Sequence, residues 1–217
     1  MDDAAADPRI LALKPLRHGR VRVLWEGGAP FTLAADLAQG LRPGQPLSPE
    51  RVAALRQADA LRRAWDAVLR RLARRPHTRH ELRQYLQRRG FAPEIVQHTL
   101  ARVEAAGWLD DARFARQWVE NQTYFRPRGK ARLRAELRAK GVPDAAIEQA
   151  LADVDEDALA WAEARRVLPR YRGLPWPTFQ RRLGGYLLRR GFPYALVQTI
   201  VRTLWAQGAS GTPEPEP

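Results

Sequence analysis

Three glycines at nearly equal intervals constrain the fold of this chain more than any other feature. Gly90, Gly141 and Gly191 are 51 and then 50 residues apart, and their surroundings match. Two leucines one helical turn apart precede each glycine, and an apolar residue and a stripe at i, i+4, i+7 spacing follow it. The leucine pairs are Leu82 and Leu86, Leu133 and Leu137, and Leu183 and Leu187; the stripes are Val96, Leu100 and Val103, then Ile147, Leu151 and Val154, then Val197, Val201 and Leu204.

This repeat predicts a helical module of about 50 residues in three copies. Glycine suits a helix that ends in the left-handed conformation, which turns the chain sharply into the next helix. A further helix opens each copy, with Leu61 and Trp65 on its apolar face in the first, Phe114 and Trp118 in the second, and residues 156–168 forming it in the third. We therefore predict a mainly α fold of three tandem three-helix repeats in an elongated array.

The residues before the first repeat predict a small β segment. Val21, Val23 and Trp25 recur at every second position, a Gly-Gly turn follows, and residues 31–33 can return as the partner strand of a hairpin. Residues 10–13 can add a third strand. The predicted segments are a disordered N-terminus at 1–8, the β segment and connector at 9–48, repeats at 49–109, 110–155 and 156–207, and a disordered tail at 208–217.

Composition narrows the classes of function. The 217 residues carry a formal net charge of +13, which favours a nucleic-acid or acidic protein partner. There are no cysteines, so disulfides, thiolate metal sites and a cysteine nucleophile are excluded. No apolar run approaches the roughly 18 residues that indicate a membrane helix. We expect a cytoplasmic protein that does not bind membranes.

The stretch from residue 107 to 142 combines a helix end, a helix cap, an aromatic helix and a basic segment. Gly107 can end one helix, and Asp110 or Asp111 can cap the next; Trp108 and Leu109 lie between them. Phe114 and Trp118 share one helical face with other apolar residues, which indicates core packing.

A basic segment follows that aromatic helix. Between residues 126 and 140 a single acid, Glu136, stands among seven cations, a local field able to hold a polyanion or an acidic protein surface. An arginine-rich solvated helix face with no ligand is the structural alternative. The cations are Arg126, Arg128, Lys130, Arg132, Arg134, Arg138 and Lys140.

No pattern of catalytic or metal-binding residues emerges. His77 and His80 lie at a helix start with no third convergent ligand, and the adjacent Asp110 and Asp111 are better explained as helix caps than as a catalytic pair. Phosphate loops and nucleophile elbows are absent. We expect neither an enzyme nor a bound cofactor or metal.

Two stretches of the sequence carry a family resemblance. GWLDDARFA at 107–115 and RPRGKARLRAELRAKGV at 126–142 are similar to the signature of the RecX family, bacterial regulators of the RecA recombinase. That resemblance extends over residues 9–207 and implies a non-enzymatic modulator. We expect the chain to be a monomer. Such a protein is expected to bind RecA and its filament on DNA, and to inhibit ATP hydrolysis, strand exchange, recombination and the SOS response.

The resemblance and the local charge together predict the binding residues. The residues expected to contact RecA or the DNA backbone are Arg113, Arg116, Arg126, Arg128, Lys130, Arg132, Arg134, Arg138 and Lys140. A second hypothesis is a helix-turn-helix transcriptional regulator that reads a DNA sequence. Its candidate recognition helices, 94–106 and 144–152, are poor in side chains that read base edges. A third is a scaffold whose charge is incidental.

Overall fold

The computed structural model describes residues 7–209, except for the side chain of Ala209. Most of the two predicted disordered ends lie outside this range. The strands are β1 (Ile10–Leu16), β2 (Arg20–Trp25) and β3 (Phe31–Ala34). The helices of the described chain are α1 (Pro49–Leu72), α2 (Arg79–Arg88), α3 (Pro93–Ala105), α4 (Asp111–Phe125), α5 (Lys130–Ala139), α6 (Asp144–Leu151), α7 (Glu156–Val167), α8 (Trp176–Arg189) and α9 (Tyr194–Leu204). A 3-10 turn, Leu168–Arg170, follows α7, and a π-helical turn, Trp205–Ala209, follows α9.

The described chain divides into two compact units. The first runs to Pro76 and resumes from Leu82 to Trp108; the second comprises residues 77–81 and everything from Leu109 onward. The repeat boundaries predicted at 109/110 and 155/156 fall between helices, and the division into six segments remains a proposal.

In the first unit, the three strands form one antiparallel sheet in the order β1-β2-β3, as the alternating pattern predicts. Its apolar side packs on α1, where Val52 and Leu55 join the core. Asp59 of α1 is buried and accepts two hydrogen bonds from the Arg20 guanidinium, at 3.0 and 2.9 Å, and one from the Ala34 amide at 2.8 Å. The helix and the sheet are therefore joined by a paired buried charge as well as by apolar contact.

The second unit contains two three-helix cores. Helices α4, α5 and α6 bury one cluster, and α7, α8 and α9 bury another. The leucine pairs of all three repeats are fully buried, at 0% exposure. The mainly α architecture of three three-helix repeats after a small sheet is confirmed.

Each matched glycine ends the middle helix of its repeat in the left-handed conformation. Gly90, Gly141 and Gly191 have φ of 77°, 73° and 88°. The amide of the apolar residue after the glycine donates back to the carbonyl of the second leucine, as Phe91 does to Leu86 at 3.3 Å. This six-to-one hydrogen bond is the Schellman closure, and it accounts for the fixed spacing of leucine, glycine and apolar residue.

The start of a middle helix is held by the repeat that follows it, in the same way twice. The Thr78 hydroxyl donates to the Lys140 carbonyl at 2.6 Å, and the Arg79 amide donates to Asp111 at 2.9 Å. One repeat later, the Gly129 amide donates to the Arg190 carbonyl at 3.0 Å, and the Lys130 amide donates to Glu156 at 2.6 Å. We call this arrangement the module joint; each instance lies within the second unit.

Two glycines permit a close approach of the backbone in the second module joint. A Cβ on Gly129 would overlap the Gly191 carbonyl and lie 2.7 Å from the Phe192 amide nitrogen, and a Cβ on Gly191 would overlap the side chain of Arg132. Gly129 has an ordinary φ of −67°, so the requirement for glycine there comes from packing and not from backbone conformation.

Replacing Gly129 with Ala should destabilise the second unit by about 1–3 kcal/mol, because the added methyl group meets backbone that has no room to move. Gly184→Ala is the matched control. That glycine lies inside α8, where a Cβ would be 3.8 Å from Val197 Cγ1, an ordinary contact. It should gain up to about 1 kcal/mol of helix propensity. Urea denaturation followed by circular dichroism measures both; equal effects would contradict the close packing.

Candidate functional site: an arginine-lined cleft

Helix α4 leads into the site. The Asp110 carboxylate caps its first turn by accepting from the Arg113 amide at 2.8 Å. Phe114 is buried, and its ring stacks with that of Trp118 at 6.0 Å, which agrees with the predicted core face. The helix ends at Phe125, two residues before Pro127, so its last turn brings exposed side chains to the following basic loop.

The loop and α5 form the first wall of a cleft. Arg126 and Arg128 lie in the loop, and Arg132 follows in the first turn of α5. The module joint at Gly129 holds this loop against the end of α8. Three of the predicted binding residues are thereby brought together.

The opposite wall comes from the third repeat. The end of α7, the 3-10 turn and the end of α8 contribute four more arginines and a tyrosine. The cleft has a volume of about 580 Å³. It is lined by Phe125, Arg126, Arg128, Arg132, Arg166, Arg170, Tyr186, Arg189 and Arg190.

Two glutamates fix part of this positive charge in place. Glu136 pairs with Arg128 and, at 2.8 Å, with Arg132 Nε. Glu163 is fully buried and accepts two hydrogen bonds from Arg166, at 2.8 and 2.7 Å. It also accepts a hydrogen bond from the Tyr186 hydroxyl and lies 3.7 Å from Arg190.

The cleft remains strongly positive after this pairing. Seven arginines against the two glutamates leave a net charge of +5. Within the described residues, Arg126, Arg170 and Arg189 form no salt bridge with any acid. These three side chains carry the charge that is free to meet a ligand, whereas the paired guanidiniums are held in fixed positions.

Both glutamates are ionised at neutral pH. Burial on its own would raise the pKa of Glu163, but hydrogen bonds from Arg166 and Tyr186, and the charges of Arg166 and Arg190, together lower it below its ordinary value. Burial would likewise raise the pKa of Glu136, but hydrogen bonds from Arg128 and Arg132, and the charges of both arginines, together lower it. The pKa of Tyr186 is raised by burial and by its hydrogen bond to Glu163, so the phenol keeps its proton.

Other predicted binding residues lie away from the cleft. Arg134 forms a bidentate pair with Glu148 at 2.6 and 2.8 Å, and Arg138 pairs with Asp144 at 2.7 Å. Acidic residues outside the basic segment thus neutralise part of the excess positive charge of residues 126–140.

Four further cations have separate surroundings. Lys140 pairs with Glu81 at 3.2 Å and lies 4.4 Å from the Trp118 ring centroid, so it packs as well as carrying charge. The Lys130 backbone takes part in the module joint. Arg116 lines a separate groove beside α6 and α7, and Arg113 is exposed on α4.

The remaining motif residues have structural roles. Gly107 ends α3 with φ of 71°, and Trp108 stacks on Trp65 with 5.7 Å between the ring centroids. Leu109 is buried. Asp110 caps α4 as predicted, while Asp111 accepts from the start of α2 in the module joint.

The third-repeat half of the site was not predicted from the sequence. It comprises Glu163, Arg166, Arg170, Tyr186, Arg189 and Arg190. One signal was available: residues 156–207 contain nine arginines and only three acids. Arg189 and Arg190 directly precede Gly191, and Lys140 directly precedes Gly141, so both glycines follow a basic residue. The spacing of these residues along the chain does not indicate that their side chains lie beside the basic loop of the second repeat.

The described residues contain no group of three or more side chains suited to holding a metal ion. His77 Nδ1 instead lies 2.8 Å from the Glu81 carboxylate. None of the described helices is both long enough and apolar enough to cross a bilayer.

The helix-turn-helix alternative is not favoured. Helix α6, its second candidate recognition helix, has eight residues, and its acids Asp144 and Glu148 accept hydrogen bonds from α5. A short helix that presents carboxylates is repelled by the phosphates that border the major groove.

The fold and the cleft define a protein of tandem three-helix modules with a concentrated basic surface. Models of the first, second and third three-helix domains of RecX match residues 64–102, 110–151 and 155–201. The chain belongs to the RecX family.

Individual relatives agree with this assignment. The regulatory protein RecX of Thermobifida fusca is 37% identical over 188 residues, which cover 84% of this chain and 97% of that protein. The protein of the same name from Halorhodospira halophila is 43% identical over 130 residues, covering 58% and 79% of the two chains. A crystal structure of regulatory protein RecX matches with a TM-score of 0.67 at 23% identity, over 89% of this chain and 98% of that one, and so supports the fold.

Glu163→Gln should lower the free energy of unfolding by about 1–3 kcal/mol at neutral pH, because buried hydrogen bonds to a charged acceptor weaken. Since the folded pKa of Glu163 is lowered, its contribution is present above the pKa of the unfolded chain and is lost as pH falls through the folded value. The difference from wild type should therefore shrink toward acid pH in urea titrations. Glu120→Gln, at an exposed carboxylate of α4, is the control and should change little. A constant difference across pH would contradict this role of Glu163.

Proposed function

We propose that this chain is a non-enzymatic regulator that binds RecA and its filament on DNA. Bound there, it inhibits ATP hydrolysis and strand exchange, and so limits recombination and the SOS response. Membership of a family whose relatives are named regulatory proteins supports the regulatory role. The link to RecA comes from the family resemblance of residues 107–115 and 126–142.

The arginine-lined cleft is the observation that carries this proposal. A RecA filament on DNA presents phosphates and protein carboxylates, and guanidinium groups bind either with paired, charge-assisted hydrogen bonds. Arg126, Arg170 and Arg189 are free to make such bonds. The basic loop contributes Arg126 and Arg128 to the same surface.

The construction of the cleft also suits a binding role. Its walls come from two repeats joined at Gly129 and Gly191, and its paired arginines are held by Glu136 and Glu163. A ligand therefore meets guanidiniums that are already in position, which reduces the entropy lost on binding. We place this action in the cytoplasm and expect the chain to work as a monomer.

The proposal predicts that the purified protein, titrated into RecA on single-stranded DNA, lowers the rate of ATP hydrolysis in a saturable manner. Filament length, followed by electron microscopy in the same titration, distinguishes shortened filaments from filaments that are bound without disassembly. If ATP hydrolysis and filament length both stay unchanged at saturating protein, the proposed function is wrong.

The triple variant Arg126→Gln, Arg170→Gln, Arg189→Gln should inhibit RecA at least about tenfold less effectively, because three charged contacts are lost. Its matched control removes the same charge from the first unit, at the exposed residues Arg17, Arg22 and Arg51. Far-ultraviolet circular dichroism checks that both variants remain helical. Equal loss in the two triples would assign the effect to total charge and not to the cleft.

A further inference from the structure

Two adjacent aromatic residues stand exposed at the rim of the cleft. Tyr124 and Phe125 form the last turn of α4 and are 81% and 72% exposed. Their ring centroids are 4.8 Å apart with planes at 84°, and Phe125 lines the cleft beside Arg126. Large apolar side chains exposed in this way, next to concentrated charge, indicate a binding surface.

The combination of residues distinguishes between kinds of anion. An acidic protein surface would satisfy the arginines but would need a separate apolar patch to cover the two exposed rings. A single nucleic-acid strand uses both features, because its phosphates pair with arginines while its unpaired bases stack on aromatic faces. In a duplex the bases are already stacked on each other, so the rings would gain nothing from them.

We infer that this cleft binds the phosphodiester backbone of single-stranded nucleic acid, with bases stacked on Tyr124 and Phe125. Arg126, Arg170 and Arg189 are the phosphate contacts, since their charges are not already paired. The inference rests on the proposed function in one respect, namely that the strand met in the cell is DNA. The phosphate and base contacts themselves would be the same for any single strand.

A recess next to the cleft extends the same surface. A second recess of about 380 Å³ shares Phe125, Arg126 and Arg128 with the cleft, and it also contains Trp118 and Glu136. The Trp118 Nε1 donor is buried there and has no hydrogen-bond acceptor among the described residues.

Binding is tested with the full chain and without RecA, by fluorescence anisotropy of a labelled oligothymidylate. The triple variant at Arg126, Arg170 and Arg189 should bind at least about tenfold more weakly than wild type, and its salt slope should be smaller by about 2. The control triple at Arg17, Arg22 and Arg51 should stay near the wild-type affinity. If both triples lose affinity equally, binding follows total charge and the inference fails.

Stacking is tested separately with the double variant Tyr124→Ala, Phe125→Ala. Each lost stacking contact should weaken single-strand binding on the order of tenfold, while the salt slope stays near that of the wild type. Tyr194→Ala, which removes an exposed aromatic residue outside the cleft, is the matched control. An unchanged affinity in the double variant would overturn the stacking part of the inference.

Three probes then separate the ligand classes. Tighter binding to oligothymidylate than to a duplex of equal length supports the inference, and equal or tighter binding to the duplex overturns it. Oligouridylate distinguishes RNA from DNA. Binding to either oligonucleotide supports the inference, and the one that binds more tightly identifies the preferred strand. These outcomes are independent of RecA. If the protein inhibits RecA but the triple variant binds single strands as tightly as wild type, this inference is wrong and the proposed function is unaffected.

Discussion

The module joint is the interaction on which the rest of the second unit depends. The first amides of an α-helix have no partner within the helix, and a helix packed against other protein must satisfy them. Here a carboxylate from the next repeat accepts from that amide, as Asp111 does for Arg79 and Glu156 for Lys130. The residue just before that helix start, Thr78 or Gly129, donates to the carbonyl at the end of the next repeat's middle helix. These two hydrogen bonds satisfy a helix start and a helix end, and they link successive repeats.

The cleft follows from the second of these joints. Because Gly129 lies against Gly191, the basic loop of the second repeat is held beside the arginines at the end of α8. Like charges at this proximity repel one another, and Glu136 and Glu163 offset part of that repulsion from below the surface. The remaining unpaired guanidiniums and two exposed rings are oriented outward. A structural requirement, the satisfied helix end, therefore also creates the concentrated charge on which the proposed function rests.

Much of the fold was predictable from the sequence because it depends on local rules. The glycine spacing, the leucine pairs and the i, i+4, i+7 stripes predicted three three-helix repeats, and the left-handed glycines and buried leucines confirm them. Alternation at Val21, Val23 and Trp25 predicted the sheet in the same way. The role of Asp111 was less accessible. Its sequence position suits a cap for α4, but its carboxylate accepts from a helix that begins 32 residues earlier.

Less of the candidate site was predictable, since charge in a linear segment does not reveal which acids lie near it in space. Arg134 and Arg138 look free in the sequence, yet Glu148 and Asp144 pair with them. The arginines of α7 and α8 join Arg126 only through the close approach of Gly129 and Gly191. By itself, the sequence determined the repeats, their helix ends and the excess of positive charge, because periodicity and backbone conformation act between near neighbours. Only the tertiary structure decided which charges are paired and which face a ligand, because that depends on distances between residues far apart along the chain.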